Sequence, residues 1–130
     1  MKKYIILIEA LIQQYKERYT KGNFWDMVNF LEIEMHGEYD VEDDAQWDAF
    51  NNAMLLTLIS LSDERAAPLV ERFGSDKQMY AFSDWEKHKM ETDQLAHLYA
   101  QGSDDISLEE IKKEQQSSLS LWNQFLETLN

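Results

Sequence analysis

Apolar residues in the first twenty positions recur at three- and four-residue steps, at Tyr4, Leu7, Ile8, Leu11, Ile12, Tyr15 and Tyr19. That spacing places them on one face of a helix. Gly22 is expected to close it in the left-handed conformation that glycine adopts without penalty. Asn23 then suits an N-cap, with Asp26 at the third helical position, where a carboxylate meets free amides and the positive end of the dipole. The second helix, Phe24 to about His36, is apolar at Phe24, Met27, Val28, Leu31 and Met35, with Phe30 and Ile33 widening the stripe. Gly37 stops it. A third helix begins at Asp40 or Asp43 and runs to about Leu61. In its first half Trp47, Phe50 and Met54 point inward, and Asp44, Asp48 and Asn51 outward. Its second half, Ala53 to Leu61, is apolar nearly all round, so neighbours must cover it and it is the expected central helix.

Ser62 to Gly74 reads as a turn and a short fourth helix closed by Gly74, with Pro68 either in its first turn or at a kink. Residues 75–82 fit a loop or a helical turn. Ser83-Asp-Trp-Glu86 is a capping box, expected to open a fifth helix that ends at Gly102. Ser107-Leu-Glu-Glu110 is a second box, opening a last helix with Leu108, Ile111, Leu119, Trp122, Leu126 and Leu129 inward. No segment alternates with period two over a useful length. The pattern predicts an all-α protein, a compact bundle of five to six helices, in a single domain over residues 1–130.

Composition supports a folded chain: 44% hydrophobic and 12% aromatic residues argue against disorder despite the charge. The absence of cysteine removes disulfides, thiol nucleophiles and cysteine zinc sites. The apolar start, Met1 to Ile12, is interrupted at Glu9 and followed by Gln13, Gln14, Lys16 and Glu17, so it reads as a buried first helix rather than a signal peptide. No stretch approaches the roughly 20 apolar residues of a membrane span. A cytoplasmic location is the expectation.

Charge changes the picture more. The formal net charge is -13, and Gly22 to Glu64 carries -11 of it without one lysine or arginine. Within that stretch, Glu32, Glu34, Glu38, Asp40, Glu42, Asp43, Asp44 and Asp48 fall in seventeen residues together with Tyr39 and Trp47. Such a balance repels nucleic acid and anionic lipid and favours a partner with a basic surface. A helix start explains Asp40 to Asp44 through the dipole, but Glu32, Glu34 and Glu38 lie at or beyond a helix C-terminus, the unfavourable end. The hinge from Glu32 to Asp48 is therefore the candidate partner-binding surface, against the alternative of a merely solvated acidic face. Tyr39 and Trp47 are candidate anchors, and Trp47 also fits the core through its spacing to Phe50 and Met54.

Other chemistry is poorly supported. Asp40, Glu42 and Asp44 match the first, third and fifth positions of a calcium loop, but Ala45 replaces the turn glycine and Asn51 the bidentate glutamate. Three acid–histidine pairs at four-residue spacing, Glu32–His36, Asp84–His88 and Asp93–His97, could each offer one metal edge or simply stabilise a helix. No nucleophile elbow, phosphate loop or dinucleotide fingerprint occurs. The expectation is no catalytic residue, no metal and no cofactor.

Two resemblances add to this. Asp63-Glu-Arg-Ala-Ala-Pro-Leu-Val70 resembles the second helix of a HEAT-type repeat, with Asp63, Arg65, Ala66, Pro68, Leu69 and Val70 in the matching positions. The resemblance implies one HEAT-like hairpin at about residues 45–74. As a whole, the small, acidic, cysteine-free helical chain resembles the immunity proteins of bacterial polymorphic toxins, including those of contact-dependent growth inhibition. That resemblance implies a non-enzymatic inhibitor that binds and neutralises a cognate toxin, with a nuclease the expected target because carboxylates can occupy phosphate positions. The alternatives are an adaptor or scaffold holding a basic or helical segment, and a small helical metal-dependent hydrolase.

Overall fold

The structure, a computed structural model, describes residues 1–19, 22–61 and 65–129. Among them the chain is all-α, without strands. The helices are α1 (Lys2–Arg18), α2 (Phe24–Met35), α3 (Asp44–Ile59), α4 (Ala66–Phe73), α5 (Asp76–Ala100) and α6 (Leu108–Glu127). Backbone contacts gather them into two units, Met1–Phe73 and Gly74–Asn130, where the sequence reading took residues 1–130 as one domain. None of the described helices is long and apolar enough to cross a membrane.

In the first unit α1 packs on α2 and on α3, and α4 packs on α3. The apolar faces expected of these helices supply the buried residues: Ile8 and Ile12, Val28 and Leu31, then Phe50, Met54, Leu55 and Leu58, then Leu69 and Val70. The second half of α3 is buried nearly all round, as its composition requires. That cover begins earlier than expected, because Asn51 is buried rather than outward, with 9% of its surface exposed. Trp47 departs the other way and is 41% exposed. It lies in the first turn of α3, with the rings of Tyr39 and Phe50 at 5.8 and 6.4 Å between centroids. Ile33 and Tyr19 also lie outside the core.

Local end signals explain most boundaries. The Asn23 side chain accepts from Asp26 N while Asp26 accepts from Asn23 N, a complete capping box. Gly37 ends α2 at φ +92°, a left-handed conformation that a β-carbon would strain. Gly102 does the same after α5 at φ +91°. Gly22 has a different role from the one expected. The C-cap of α1 is Tyr19 in extended conformation, and Gly22 is not left-handed. A β-carbon there would overlap the Tyr15 hydroxyl, whose ring is held against Tyr19 and Phe30 at 5.0 and 5.4 Å. Pro68 sits in the first turn of α4, where its missing amide costs nothing. Asp63, the first position of the HEAT-type pattern, lies outside the described residues.

In the second unit α5 packs along α6. The fifth helix does not open at Ser83. Ser75 caps it, accepting from Gln78 N while Gln78 accepts from Ser75 N, and Ser83 lies in the helix interior. Ser-x-x-Gln satisfies the same two orphan amides as Ser-x-x-Glu, and no breaker stands between Gly74 and Gly102. Residues 75–82 are therefore capped helix rather than loop. The expected outcome is a loss of about 0.5–2 kcal/mol for Ser75→Ala. Ser83→Ala should change stability by less than about 0.5 kcal/mol, and denaturant midpoints check both.

The seam between α5 and α6 is aromatic. Trp85 lies 4.5 Å from Trp122, and Phe82 lies 5.4 Å from Phe125. Ile111, Phe125 and Leu129 are buried, whereas Leu108 and Leu119, expected inward, are exposed. The inward line of α6 runs Ile111, Glu114, Ser118, Trp122 and Phe125, at steps of three and four, and Leu129 continues it just past the helix end. Leu119 is one residue off that line, at 50% exposure, and the polar Ser118 takes the inward position.

Candidate interaction surface

The hinge between α2 and α3 is built by its own carboxylates. Asp43 caps α3, its Oδ1 accepting from Ala45 N at 3.0 Å and Gln46 N at 3.3 Å. The Gln46 amide donates back to Asp43 Oδ2 at 3.1 Å and accepts from Asp40 N at 3.0 Å. Asp40 Oδ1 accepts from Glu42 N at 2.9 Å. Of the two helix starts open from sequence, Asp43 is the cap and Asp40 holds the turn before it. Both acids therefore satisfy backbone amides locally.

Tyr39 fixes the hinge to the first unit. Its ring stacks on Phe50 at 4.1 Å with planes 13° apart, and meets Tyr4 edge-on at 6.4 Å. Burial pushes its phenol above the ordinary value of 10.0, and the Glu32 carboxylate pushes it the same way. Tyr39 is thus half-buried packing more than a free anchor, and Trp47 beside it presents the exposed aromatic surface.

Glu32 also leaves the solvated set. Its Oε1 is shielded from solvent and lies 2.7 Å from Arg72 Nη2 on α4. The same guanidinium lies over the Trp25 ring at 5.7 Å and the Phe73 ring at 5.1 Å. A carboxylate near the unfavourable end of α2 is thereby matched by a cation forty residues away in the chain. The remaining acids, Glu34, Glu38, Glu42, Asp44 and Asp48, are exposed, and their carboxylates have no hydrogen bond or ion pair among the described residues. Ile33 at 71% exposure and Val41 at 57% accompany them along the chain.

The acid–histidine pairs do not form. Glu32 meets Arg72, and Asp93 meets Lys89 at 3.6 Å. His88 turns away from Asp84 toward α6, with Nδ1 2.6 Å from Ser118 Oγ and Nε2 2.8 Å from Glu114 Oε2. Thr92 Oγ1 donates to the His88 carbonyl at 2.8 Å. This serine–histidine–glutamate line has the composition of a nucleophilic triad. Ser118 lies inside α6, where the backbone amides around it are engaged by the helix, and its Oγ also lies 3.4 Å from Thr92 Oγ1. Its evident work is to clamp α5 to α6 through a polar gap in the aromatic seam. Sequence reasoning paired His88 with its own helix and missed this; serine at an inward position was the available signal. Among the described residues no three histidine or carboxylate side chains converge as a metal site.

The chain matches no protein family, no curated protein and no solved structure in these comparisons.

Proposed function

We propose that this chain is a non-enzymatic immunity or inhibitor protein that neutralises a cognate toxin by binding it through the acidic hinge. The supporting observation is that the carboxylates of Glu34, Glu38, Glu42, Asp44 and Asp48 stay exposed and without an ion pair among the described residues, beside half-exposed Trp47. Clustered like charges oppose folding, so a partner that supplies cations gains energy the free protein lacks. A nuclease toxin suits such a surface, because its substrate site is built for a polyanion. An adaptor holding a basic segment would use the same residues, and the identity of the captured partner separates the two.

The test is co-expression with the product of the adjacent reading frame, scored for relief of toxicity, followed by association kinetics. The variant carries Glu34→Lys, Glu38→Lys, Glu42→Lys and Asp48→Lys together, leaving Asp40 and Asp43 to hold the hinge. The expected outcome is association slowed by about 10- to 1,000-fold at low salt, a gap that narrows as salt screens the charges. Unchanged association and inhibition in the reversed variant would remove the hinge from the interface.

A further inference from the structure

One corner of the first unit has the opposite character to the hinge. The residues just before α2 and the starts of α2 and α4 line a cleft of about 440 Å³ around Asn23, Phe24, Trp25 and Arg65. An adjoining hollow of about 360 Å³ extends it over Lys16 and Tyr19. Both hollows are open, and together they are within the ordinary size of small-ligand sites, about 300–1,000 Å³.

Among the described residues no aspartate or glutamate lines either hollow, although acids outnumber bases 25 to 12 in the chain. Arg65 lies over the Phe24 ring at 5.9 Å and has no carboxylate within ion-pair distance among the described residues. It differs in this from Arg72, whose charge Glu32 meets. The Asn23 carbonyl oxygen is engaged by Asp26 N, while its side-chain amide donates to nothing among the described residues. Asp26, one turn into α2, has a carboxylate oxygen held by Asn23 N. Among the described lining residues Arg65, Lys16 and the Asn23 amide offer donors, and the Tyr15 and Tyr19 hydroxyls can donate or accept; burial, and after it the Asp26 carboxylate, raises the pKa of the Tyr15 phenol.

The walls are aromatic. Phe24 and Trp25 meet edge-on at 5.8 Å, and Trp25 and Tyr19 keep much of their surface exposed. A flat ring can stack on such surfaces, and a guanidinium forks onto the two oxygens of a carboxylate or phosphate. We infer that this cleft binds a small aromatic anion, with its ring against Phe24, Trp25 or Tyr19 and its carboxylate or phosphate on Arg65. The inference does not depend on the inhibitor reading.

The test is a titration of the full-length ¹⁵N-labelled protein, followed by amide chemical shifts. The probes are indole-3-acetate and adenosine 5′-monophosphate, with indole, adenosine and inorganic phosphate as single-part controls. At least one aromatic anion is expected to shift the amides of Phe24, Trp25 and Arg65 saturably, with Kd below about 1 mM. Its uncharged counterpart, and the Arg65→Gln variant, should each bind about tenfold more weakly or worse, with the rest of the spectrum of the variant unchanged. Which anion binds tighter assigns the head group. Absence of saturable shifts up to about 5 mM of both anions overturns the inference. So does equal binding of charged and uncharged rings, binding of phosphate alone as tight as the nucleotide, or affinity unaffected by Arg65→Gln.

Discussion

Replacing Phe50 with alanine is expected to destabilise the protein by about 3–5 kcal/mol, the cost of emptying a fully buried aromatic site. Phe50 is 1% exposed and is the ring on which Tyr39 stacks, with Tyr4 and Trp47 each 6.4 Å away. Its removal takes away packing on α1 and α3 and also the support that seats the hinge. The loss is a large share of the roughly 5–15 kcal/mol by which domains are stable, so urea unfolding is the first measurement and the near-ultraviolet signal of Tyr39 and Trp47 the second. Phe50→Leu, which keeps most of the volume, should fold at a smaller cost and still show a weakened hinge signal. A cost below about 1 kcal/mol for Phe50→Ala would mean that the aromatic cluster is not part of the core of the unit.

The second large effect separates two glutamates that look alike in the chain. Glu32→Lys places a cation against Arg72 at a position partly screened from water, and a cost of about 1–2 kcal/mol is expected. Glu34→Lys, on an exposed position in the last turn of α2, should be neutral or stabilise by about 0.5 kcal/mol, because a cation there complements the dipole. Both side chains of the Glu32–Arg72 pair are partly exposed, so the pair itself contributes no more than about 1 kcal/mol. A double-mutant cycle with Arg72→Gln measures that part directly. Equal effects of Glu32→Lys and Glu34→Lys, with no coupling to Arg72, would remove the ion pair from the account. The distinction matters for function, since any binding defect of a Glu32 variant mixes lost stability with lost contact, whereas Glu34 and Glu38 report on the surface alone.

The same distinction shows how far the candidate site was readable beforehand. That Glu32, Glu34 and Glu38 oppose the dipole of α2 follows from their position in the chain. Which of the three the fold compensates does not, because the answer depends on where α4 lies when it packs on α3. Asp40 and Asp43 were legible as helix-start acids, and the hydrogen bonds to Glu42, Ala45 and Gln46 divide them into a turn and a cap. The spacing of Trp47 to Phe50 and Met54 pointed it inward, and the limited reach of the hinge rings left it half-exposed instead.

By itself the sequence determined the helical class, most helix ends and the one-sided distribution of charge. These rest on interactions within about four residues: apolar periodicity, capping at Asn23 and Ser107, and left-handed glycines at Gly37 and Gly102. Tertiary structure alone decided that Arg72 neutralises Glu32, that Gly22 makes room for Tyr15, and that Ser118 rather than Leu119 faces His88. Each of those depends on which faces of distant helices meet. Periodicity gives the direction of a face to within about one residue, or 100° of helix, and a hydrogen bond or ion pair tolerates far less.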